Sequence, residues 1–264
     1  MYSKIVEQFC TPIPLPISES EKKAISSAEF FTVPFEGYEL NCYSWGEGKT
    51  VLLVHGWSSR ASHMVLMAKY LAGFGFRVVA FDAPAHYSTK NNIKKKTSNM
   101  FEFGKTVSTV VQHLGNVYAV IGHSLGAAAS GFASAGSGHL AGYNYDVNKL
   151  VLISSPSSLI SILRNFCHRN NFGENDFNKL WQGLESEFNM SIDKYSLGET
   201  LAETKSEILL IHDKDDEEFA LNEALNICSN SNNVRLFVTK KYGHYKVLLS
   251  RKVFKEVKNF LTCY

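Results

Sequence analysis

The segment Gly122-His-Ser-Leu-Gly126 is the feature that most constrains how this chain can fold. It is a Gly-x-Ser-x-Gly motif between an apolar, strand-like run at 117–121 and a run of small residues typical of a helix packed closely on a sheet. A serine that points its hydroxyl out of the edge of a parallel sheet must sit in a tight turn, which leaves room only for very small residues two positions before and after it. Both positions are glycine here. The motif alone also fits an ordinary strand–helix turn, so the rest of the chain has to decide between the two interpretations.

Strand-like and helix-like segments alternate along the rest of the chain. A hairpin is predicted at 30–45 around the turn Glu36-Gly37. Continuous apolar runs predict buried strands at 50–54, 76–81, 150–153, 207–211 and 234–238. Helical spacing of apolar residues is found at 62–71, 100–114, 219–228 and 248–261. Strands separated by helices imply an α/β fold with a mostly parallel central sheet that is covered by helices on both faces.

The segment between the predicted strands at 150–153 and 207–211 has about fifty residues, which is more than one crossover helix needs. Its apolar spacing predicts two helices, and we expect residues 157–201 to form a small helical cap, or lid, above the carboxyl edge of the sheet. Three aromatic residues of this cap are candidates for lining an apolar substrate pocket, or alternatively for packing the insertion onto the body: Phe166, Trp181 and Phe188.

The remaining residues divide into a core, 29–156 and 202–264, and a lead-in, 1–28, which we expect to pack along the edge of the sheet. The chain of 264 residues is long enough to bury a hydrophobic core without disulfides or a metal. Five cysteines at wide spacing, with no Cys-x-x-Cys pair, predict reduced thiols and a cytoplasmic protein. No segment has the apolar character expected of a signal peptide or of a membrane span.

Charge and motif content argue against several classes of function. The net charge of +2 is too small to indicate a nucleic-acid partner, and the basic run Lys94-Lys95-Lys96 is interpreted as a solvated loop. No Gly-x-Gly-x-x-Gly follows a strand, and neither a Walker A motif nor a strong metal-ligand pattern is present, so we expect no cofactor and no metal. Together with the serine motif, this favours a small-molecule acyl substrate as the partner.

A serine nucleophile needs a base, and histidine is suited to that role because imidazole exchanges a proton near neutral pH. His244 is the preferred base, since it follows the last strand between a flexible glycine and a predicted helix, where its side chain can reach over the sheet edge. Four other histidines remain alternatives, three that end strands near the same edge and a weaker one in a loop beside it: His55, His123, His212 and His86.

The base in turn needs a carboxylate that orients it. The strand at 207–211 runs directly into His212-Asp-Lys-Asp-Asp216, so Asp213, Asp215 and Asp216 are all candidates. The two that do not serve as the acid are expected to be loop caps or solvated charges. A metal site that combines this cluster with His212 matches no strong ligand spacing.

Five segments in chain order resemble the α/β-hydrolase superfamily, and the similarity spans roughly residues 30–263. They are His55-Gly-Trp57, Asp82-Ala-Pro84, Gly122-His-Ser-Leu-Gly126, His212-Asp-Lys-Asp-Asp216 and Gly243-His244. The resemblance implies the α/β-hydrolase fold and the chain order nucleophile, acid, base. It also implies that Asp216 is the acid and that the backbone N–H groups of Trp57 and Leu125 form the oxyanion hole. His55, which ends a strand at this edge, joins the candidates for the substrate pocket.

The sequence departs from the superfamily after the Asp-x-Pro segment. Many members have glycines there, whereas this chain has Ala85 and Tyr87, so we expect a stiffer or bulkier loop. Haloalkane dehalogenases and epoxide hydrolases have similar folds but use a carboxylate at the elbow, and Ser124 argues against both.

The sequence therefore predicts a serine hydrolase, a carboxylesterase that cleaves carboxylic esters or thioesters through an acyl-enzyme intermediate. Ser124 is the predicted nucleophile, His244 the base and Asp216 the acid. Other acyl chemistry on the same triad remains an alternative, namely C–C bond hydrolysis, amide cleavage or perhydrolysis. A non-catalytic binding module on the same fold is a further alternative, against which the intact set of three residues argues.

Overall fold

The computed structural model describes residues 3–13, 15–86 and 95–263. Tyr87 and Lys94, which were named in the sequence predictions, lie outside these ranges. Within them the chain forms a sheet with the strand order β1-β2-β4-β3-β5-β6-β7-β8. The strands are β1 (Glu29–Phe35), β2 (Tyr38–Trp45), β3 (Lys49–Val54), β4 (Phe76–Phe81), β5 (Val117–His123), β6 (Lys149–Ile153), β7 (Glu207–Asp213) and β8 (Val234–Thr239).

The sheet is parallel except at one end. β1 and β2 form the predicted antiparallel hairpin, β2 also pairs antiparallel with β4, and the other neighbouring pairs are parallel. The hairpin turns at Glu36 and Gly37, whose φ angles of 43° and 82° are both positive, as a two-residue hairpin turn that follows the twist of the strands requires. The predicted α/β class with a mostly parallel sheet is thereby confirmed.

Helices lie on both faces of the sheet. They are α1 (Lys4–Cys10), α2 (Glu19–Ile25), α3 (Val65–Ala72), α4 (Met100–Leu114), α5 (Leu125–Ala135), α6 (Leu159–Arg169), α7 (Glu174–Phe188), α8 (Leu197–Ala202), α9 (Leu221–Ser229), α10 (Gly243–Lys246) and α11 (Arg251–Thr262). α3 and α11 pack with Val51 and Leu53 on one face, whereas α4, α5 and α9 pack with Leu52 and Val54 on the other. β3 is apolar throughout because successive side chains of a strand point to opposite faces, and both faces are covered.

The helices α6 and α7, which we call the insertion helices, lie between β6 and β7 as the length of that segment predicts. The expectation that residues 1–28 pack along the sheet edge is wrong for α1. This helix packs against α7, with Val6 buried beside Gly183, where an added Cβ atom would lie 2.7 Å from Val6 Cγ2. A side chain at position 183 would fill the space that α1 occupies.

Two smaller expectations can be compared with the structure. All five cysteines lie in the described ranges and are free thiols. In the basic run, Lys95 forms an ion pair with the largely buried Glu102 at the start of α4, so this residue is bound to the body instead of being fully solvated. Within the described ranges, no helix combines the length and the apolar character that crossing a membrane requires.

Candidate active site

The carboxyl ends of β5, β7 and β8 bring the three predicted catalytic residues together. Ser124 follows β5 directly, Asp216 lies in the loop after β7, and His244 lies in the short helix α10 after β8. Parallel neighbouring strands end at the same edge of a sheet, so residues far apart in the sequence meet there.

The side chains of these three residues form one hydrogen-bonded chain. His244 Nε2 lies 2.9 Å from Ser124 Oγ, and His244 Nδ1 lies 2.9 Å from Asp216 Oδ2. An ionised carboxylate can only accept, so Nδ1 carries the proton toward Asp216, and Nε2 is left to accept the hydroxyl proton of Ser124. Ser124 is 9% exposed to solvent, and Asp216 and His244 are each 6% exposed. This is the geometry of an activated nucleophile with an oriented base.

Ser124 occupies a strained backbone conformation. Its φ and ψ angles are 55° and −123°, in a region that residues with a Cβ atom rarely adopt, and its N–H donates to Ile153 O at 2.9 Å. The flanking glycines make the turn possible. A Cβ atom at Gly122 would lie 2.5 Å from Ala127 Cα, and one at Gly126 would lie 2.2 Å from His55 O. The sequence motif therefore has the steric basis that the strand–helix turn demands.

Asp216 is held in place by the backbone of its own loop. Its Oδ1 accepts hydrogen bonds from the N–H groups of Glu218 and Phe219, both at 2.9 Å, which leaves Oδ2 for His244. Burial opposes ionisation of this carboxyl, but the hydrogen bond from His244 and the N–H of Phe219 lower its pKa below the usual value. The carboxylate is thus ionised and aimed at the base.

Asp213, one of the rejected candidates for the acid, instead binds the segment that carries His244. Its Oδ1 accepts from Gly243 N at 3.1 Å and its Oδ2 accepts from Tyr242 N at 3.2 Å and from Thr239 Oγ1 at 2.7 Å. Burial opposes its ionisation, yet these hydrogen bonds and that from Asp215 N lower the pKa of its carboxyl. Sequence reasoning did not find this role, although an acid at the very end of a buried strand is a signal that its carboxylate has partners.

The predicted oxyanion donors lie on either side of Ser124. Leu125 is the first residue of α5, and Trp57 belongs to the loop after β3, whose Gly56 would place a Cβ atom 3.0 Å from Ser124 Cβ. Neither backbone N–H takes part in a hydrogen bond among the described residues. Both residues line the cavity that contains Ser124, so two free N–H groups are available beside the nucleophile.

The rival histidines support the loops around the site. His55 donates from Nδ1 to Gly56 O at 2.7 Å and accepts from Ala83 N at 3.0 Å, which joins the loops after β3 and β4. His123 donates from Nε2 to the backbone oxygen of His244 at 2.8 Å. Burial lowers the pKa of His123 to about 3 and that of His55 well below the usual value, so both rings are neutral. Among the described residues, His244 is the histidine that is hydrogen-bonded to Ser124 Oγ.

The two remaining rivals are also engaged with the backbone. His212 donates from Nε2 to Phe219 O at 2.7 Å and supports the loop that carries Asp216. His86 donates from Nδ1 to Pro84 O at 2.8 Å and packs edge-on against Trp57, with ring centroids 4.7 Å apart. Burial lowers the pKa of His86 to about 4.

A cavity of about 1190 Å³ opens at Ser124 and extends under the insertion helices. Phe166 and Phe188 line it, as predicted for the substrate pocket. The corresponding predictions are wrong for His55 and Trp181. His55 is fully buried with both ring nitrogens bound to backbone, and Trp181 packs edge-on against Phe177, with ring centroids 5.7 Å apart. The helical period predicts which residues share one face of a helix, but it does not predict whether that face contacts the cavity or another part of the protein.

Several lining residues come from the first 25 positions, which sequence reasoning left without a role. They include Phe9, Ile13, Leu15 and Glu21. The alternation of apolar residues with proline at 11–16 was a signal that this segment crosses the body in an extended form. No three His, Cys, Asp or Glu side chains of the described residues are grouped as the ligands of a metal ion would be.

The mostly parallel sheet, the serine on a strand–helix turn and the buried Ser–His–Asp arrangement together define a class of α/β proteins. The chain matches the alpha/beta hydrolase family over residues 51–231, which is more than half of its length. It belongs to the alpha/beta hydrolase family. A search of curated protein sequences found no match.

Solved structures with a similar fold include proteins that are named as an esterase and a thioesterase domain. The Pyrococcus furiosus esterase Pf2001 is 19% identical, with a TM-score of 0.68, and the alignment covers 96% of this chain and 96% of that one. The thioesterase domain from the curacin biosynthetic pathway is 14% identical, with a TM-score of 0.63 and coverage of 89% and 99%. Est1E from Butyrivibrio proteoclasticus is 16% identical, with a TM-score of 0.63 and coverage of 88% and 97%. At these identities the likeness concerns the fold.

Proposed function

We propose that this protein is a serine hydrolase that cleaves carboxylic esters or thioesters through an acyl-enzyme intermediate. The observation that carries the proposal is the hydrogen-bonded chain from Ser124 Oγ through His244 to Asp216, with both contacts at 2.9 Å. Nothing in a binding role requires a serine in a strained turn beside a base and an oriented carboxylate.

The reaction begins when Ser124 Oγ attacks the carbonyl carbon of the ester while its proton passes to His244 Nε2. Asp216 stabilises the imidazolium that forms, and the N–H groups of Trp57 and Leu125 donate to the oxyanion. The leaving alcohol, or thiol, takes the proton from His244 as the bond to the carbonyl carbon breaks. Water then attacks the acyl-enzyme and gives a proton to His244 Nε2. This proton passes to Ser124 Oγ as its bond to the acyl carbon breaks, which releases the acid and restores the Ser124 hydroxyl.

The cavity and the family support an ester as the substrate class. Residues 157–201 are proposed to act as the cap over the acyl group, since Phe166 and Phe188 of the insertion helices line the cavity that contains Ser124. The similar structures are named as esterases and as a thioesterase, which is the chemistry that this site would perform. Carboxylesterase activity is therefore the function that this site supports best.

Replacement of the nucleophile tests the proposal. Ser124→Ala should abolish labelling by a fluorophosphonate probe and reduce kcat for p-nitrophenyl esters by about 10⁴-fold or more, because the alanine has no hydroxyl to acylate. Ser229→Ala is a matched control, since Ser229 is exposed at the end of α9 and donates only to Asn226 O.

The control variant should label and turn over like the parent protein. Full labelling of Ser124→Ala, or no labelling of the parent by the probe, would contradict the assignment of the nucleophile.

A further inference from the structure

We infer that the first residues of the chain form a wall of the substrate cavity, and that Phe9 sets the length of the hydrocarbon chain in the neutral ester that the cavity accepts. The N-terminal wall consists of residues 3–13 and 15–25, that is α1, α2 and the extended segment between them. The inference deepens the proposed hydrolase function and rests on it.

The N-terminal wall is bound to the insertion helices. The ring of Phe9 meets that of Phe166 edge-on, with centroids 5.2 Å apart and an interplanar angle of 89°. Gln8 Nε2 donates to Asn170 Oδ1 at 3.2 Å, just beyond α6, and Val6 is buried beside Gly183 of α7. α1 is therefore a third helix beside α6 and α7 over the same cavity.

The same wall is bound to the loop that supplies the oxyanion donor Trp57. Ile13 N donates to Ser58 Oγ at 2.9 Å, and Leu15 O accepts from the guanidinium of Arg60. Ser58 directly follows Trp57 in the chain. Because one segment contacts both the insertion and the oxyanion loop, it spans the cavity from one side to the other.

Hydrocarbon and aromatic side chains from five elements line part of the cavity. They are Phe9 of α1, Phe101 of α4, Leu125 of α5, Ile162 and Phe166 of α6, and Leu184 and Phe188 of α7. Leu125, which follows the nucleophile, and Phe9, on the first helix, both belong to this lining. An acyl chain bound at Ser124 thus has apolar surface along its length, with Phe9 among the residues that confine it.

The charged side chains of the cavity lining that are named here are paired or exposed to solvent. Arg169 forms an ion pair with Glu218 at 3.2 Å. Burial opposes ionisation of Glu21, but hydrogen bonds from the Ser18 N–H and the Ser62 hydroxyl lower the pKa of its carboxyl to about 2, and His63 Nε2 lies 3.1 Å away. Lys246, which also lines the cavity, is exposed to solvent. Since a buried charge is costly unless it is paired, the site favours a neutral acyl group.

The size of the cavity favours a long chain. Its volume of about 1190 Å³ exceeds the roughly 300–1,000 Å³ of most ligand pockets. A short ester would leave most of this apolar surface without contacts. Each further methylene of the acyl chain that is buried in the cavity should raise kcat/KM about fourfold, until the acyl chain fills the cavity.

Substitutions of Phe9 in both directions test this role. The measurement is kcat/KM for p-nitrophenyl esters from acetate to palmitate. Phe9→Ala should shift the preferred chain to a longer one and raise kcat/KM about tenfold for the first esters beyond the parent's limit, because it opens space for further methylenes. Phe9→Trp should shift the preference to a shorter chain. Phe172→Ala is the matched control, since Phe172 also contacts Phe166, with centroids 5.8 Å apart, but does not line the cavity.

A second variant acts from the opposite side of the contact. Gly183→Leu would occupy the position of Val6, displace α1 from α7 and widen the preference in the same way as Phe9→Ala, without substituting any residue that lines the cavity. Identical chain-length profiles for the parent, both Phe9 variants and Gly183→Leu would overturn the role of the N-terminal wall while Ser124-dependent hydrolysis kept the proposed function intact. If the parent hydrolysed no ester of the series, the proposed function itself would fail.

The neutral character of the substrate has its own measurement. A p-nitrophenyl ester whose acyl chain ends in a carboxylate should show a kcat/KM at least about tenfold lower than the uncharged ester of equal length. Among the described lining residues, Arg169 is already paired with Glu218 and Lys246 is exposed to solvent, so burial of the carboxylate is poorly compensated. Equal rates for the two esters would show that the cavity takes charged acyl groups, and that part of the inference would be wrong.

Discussion

Asp213 illustrates how a residue that takes no part in the proposed chemistry can still govern it. Its carboxylate is fully buried and accepts hydrogen bonds from Thr239, Tyr242 and Gly243, the residues that lead into His244. A single side chain therefore determines where the base-bearing segment leaves β8. Since an error of about 1 Å in the position of a catalytic group can cost 10²-fold in rate, Asp213 is a positioning residue for His244.

We predict that Asp213→Asn lowers kcat for ester hydrolysis by about 10²-fold and leaves KM nearly unchanged. The amide of asparagine has only one oxygen that can accept, so the two donors that face the other carboxylate oxygen lose their partner. For the same reason the free energy of unfolding should fall by about 1.5–3 kcal/mol. Thr239→Val, which removes one donor and leaves the carboxylate in place, should give a smaller loss of kcat. Steady-state kinetics and urea unfolding of the two variants check the prediction, and an unchanged kcat in Asp213→Asn would contradict it.

At the scale of elements, the nucleophile turn depends on how closely α5 approaches the end of β3. A Cβ atom at Gly126 would lie 2.2 Å from His55 O and 2.7 Å from Val54 O. Both are backbone atoms: Val54 is the last residue of β3 and His55 follows it directly, so neither is the free end of a flexible side chain that could move aside. The helix must withdraw from the sheet to admit even one methyl group.

We predict that Gly126→Ala lowers the free energy of unfolding by about 3 kcal/mol or more, because the clash is with backbone. Gly173→Ala is a matched control, since position 173 precedes α7, has no atom within 4 Å of an added Cβ, and does not have a positive φ. Midpoints of urea unfolding for the two variants give the comparison. Equal midpoints would mean that the close approach of α5 and β3 is not required.

The regular elements differ in how well the sequence predicts them. The inner strands β3 to β7 are continuous apolar runs because both faces are covered, and long helices such as α4 repeat their apolar side several times. The helices α1 and α8 have seven and six residues, which is too short for a period to be recognised, so neither was predicted. Their positions come from tertiary contacts that no local pattern reports.

The candidate site was predictable to the extent that it depends on strand ends. Ser124, Asp216 and His244 lie after β5, β7 and β8, and parallel strands bring such positions to one edge. The direction in which a side chain points at that edge was not predictable. His55 follows β3 at the same edge, but its side chain turns into the protein toward Ala83. No pattern in the sequence distinguishes this from a side chain that faces the cavity.

For the molecule as a whole, three buried histidines make the folded state sensitive to acid. Burial lowers the pKa of His123 to about 3 and of His86 to about 4, and it lowers the pKa of His55 well below the usual value. Between these values and about 6.5, the unfolded chain binds protons that the folded protein does not, so stability falls as the pH falls. Asp82 opposes this, since burial raises the pKa of its carboxyl to about 6 and the folded protein binds that proton first.

We predict that the free energy of unfolding falls between about pH 7 and pH 5, by about 2 kcal/mol for each of the three histidines against about 1 kcal/mol gained at Asp82. His86→Gln replaces one titrating ring with a neutral amide, so it should reduce the acid-dependent loss by about 2 kcal/mol. Urea unfolding at both pH values, compared within each protein, removes any constant effect of the substitution. The same loss in the parent and in His86→Gln would contradict the prediction.

The N-terminal wall has a consequence for the order in which the protein is made. Gln8 and its partner Asn170 are 162 positions apart in the chain, and Asp216 and His244 come later still. A polypeptide emerges from the ribosome with its first residues first, whereas a single domain folds as a unit. The segment that carries Phe9 therefore cannot reach its final contacts until α6 has been made. The cavity is complete only once α10 has been added, because Phe219 and His244 also line it.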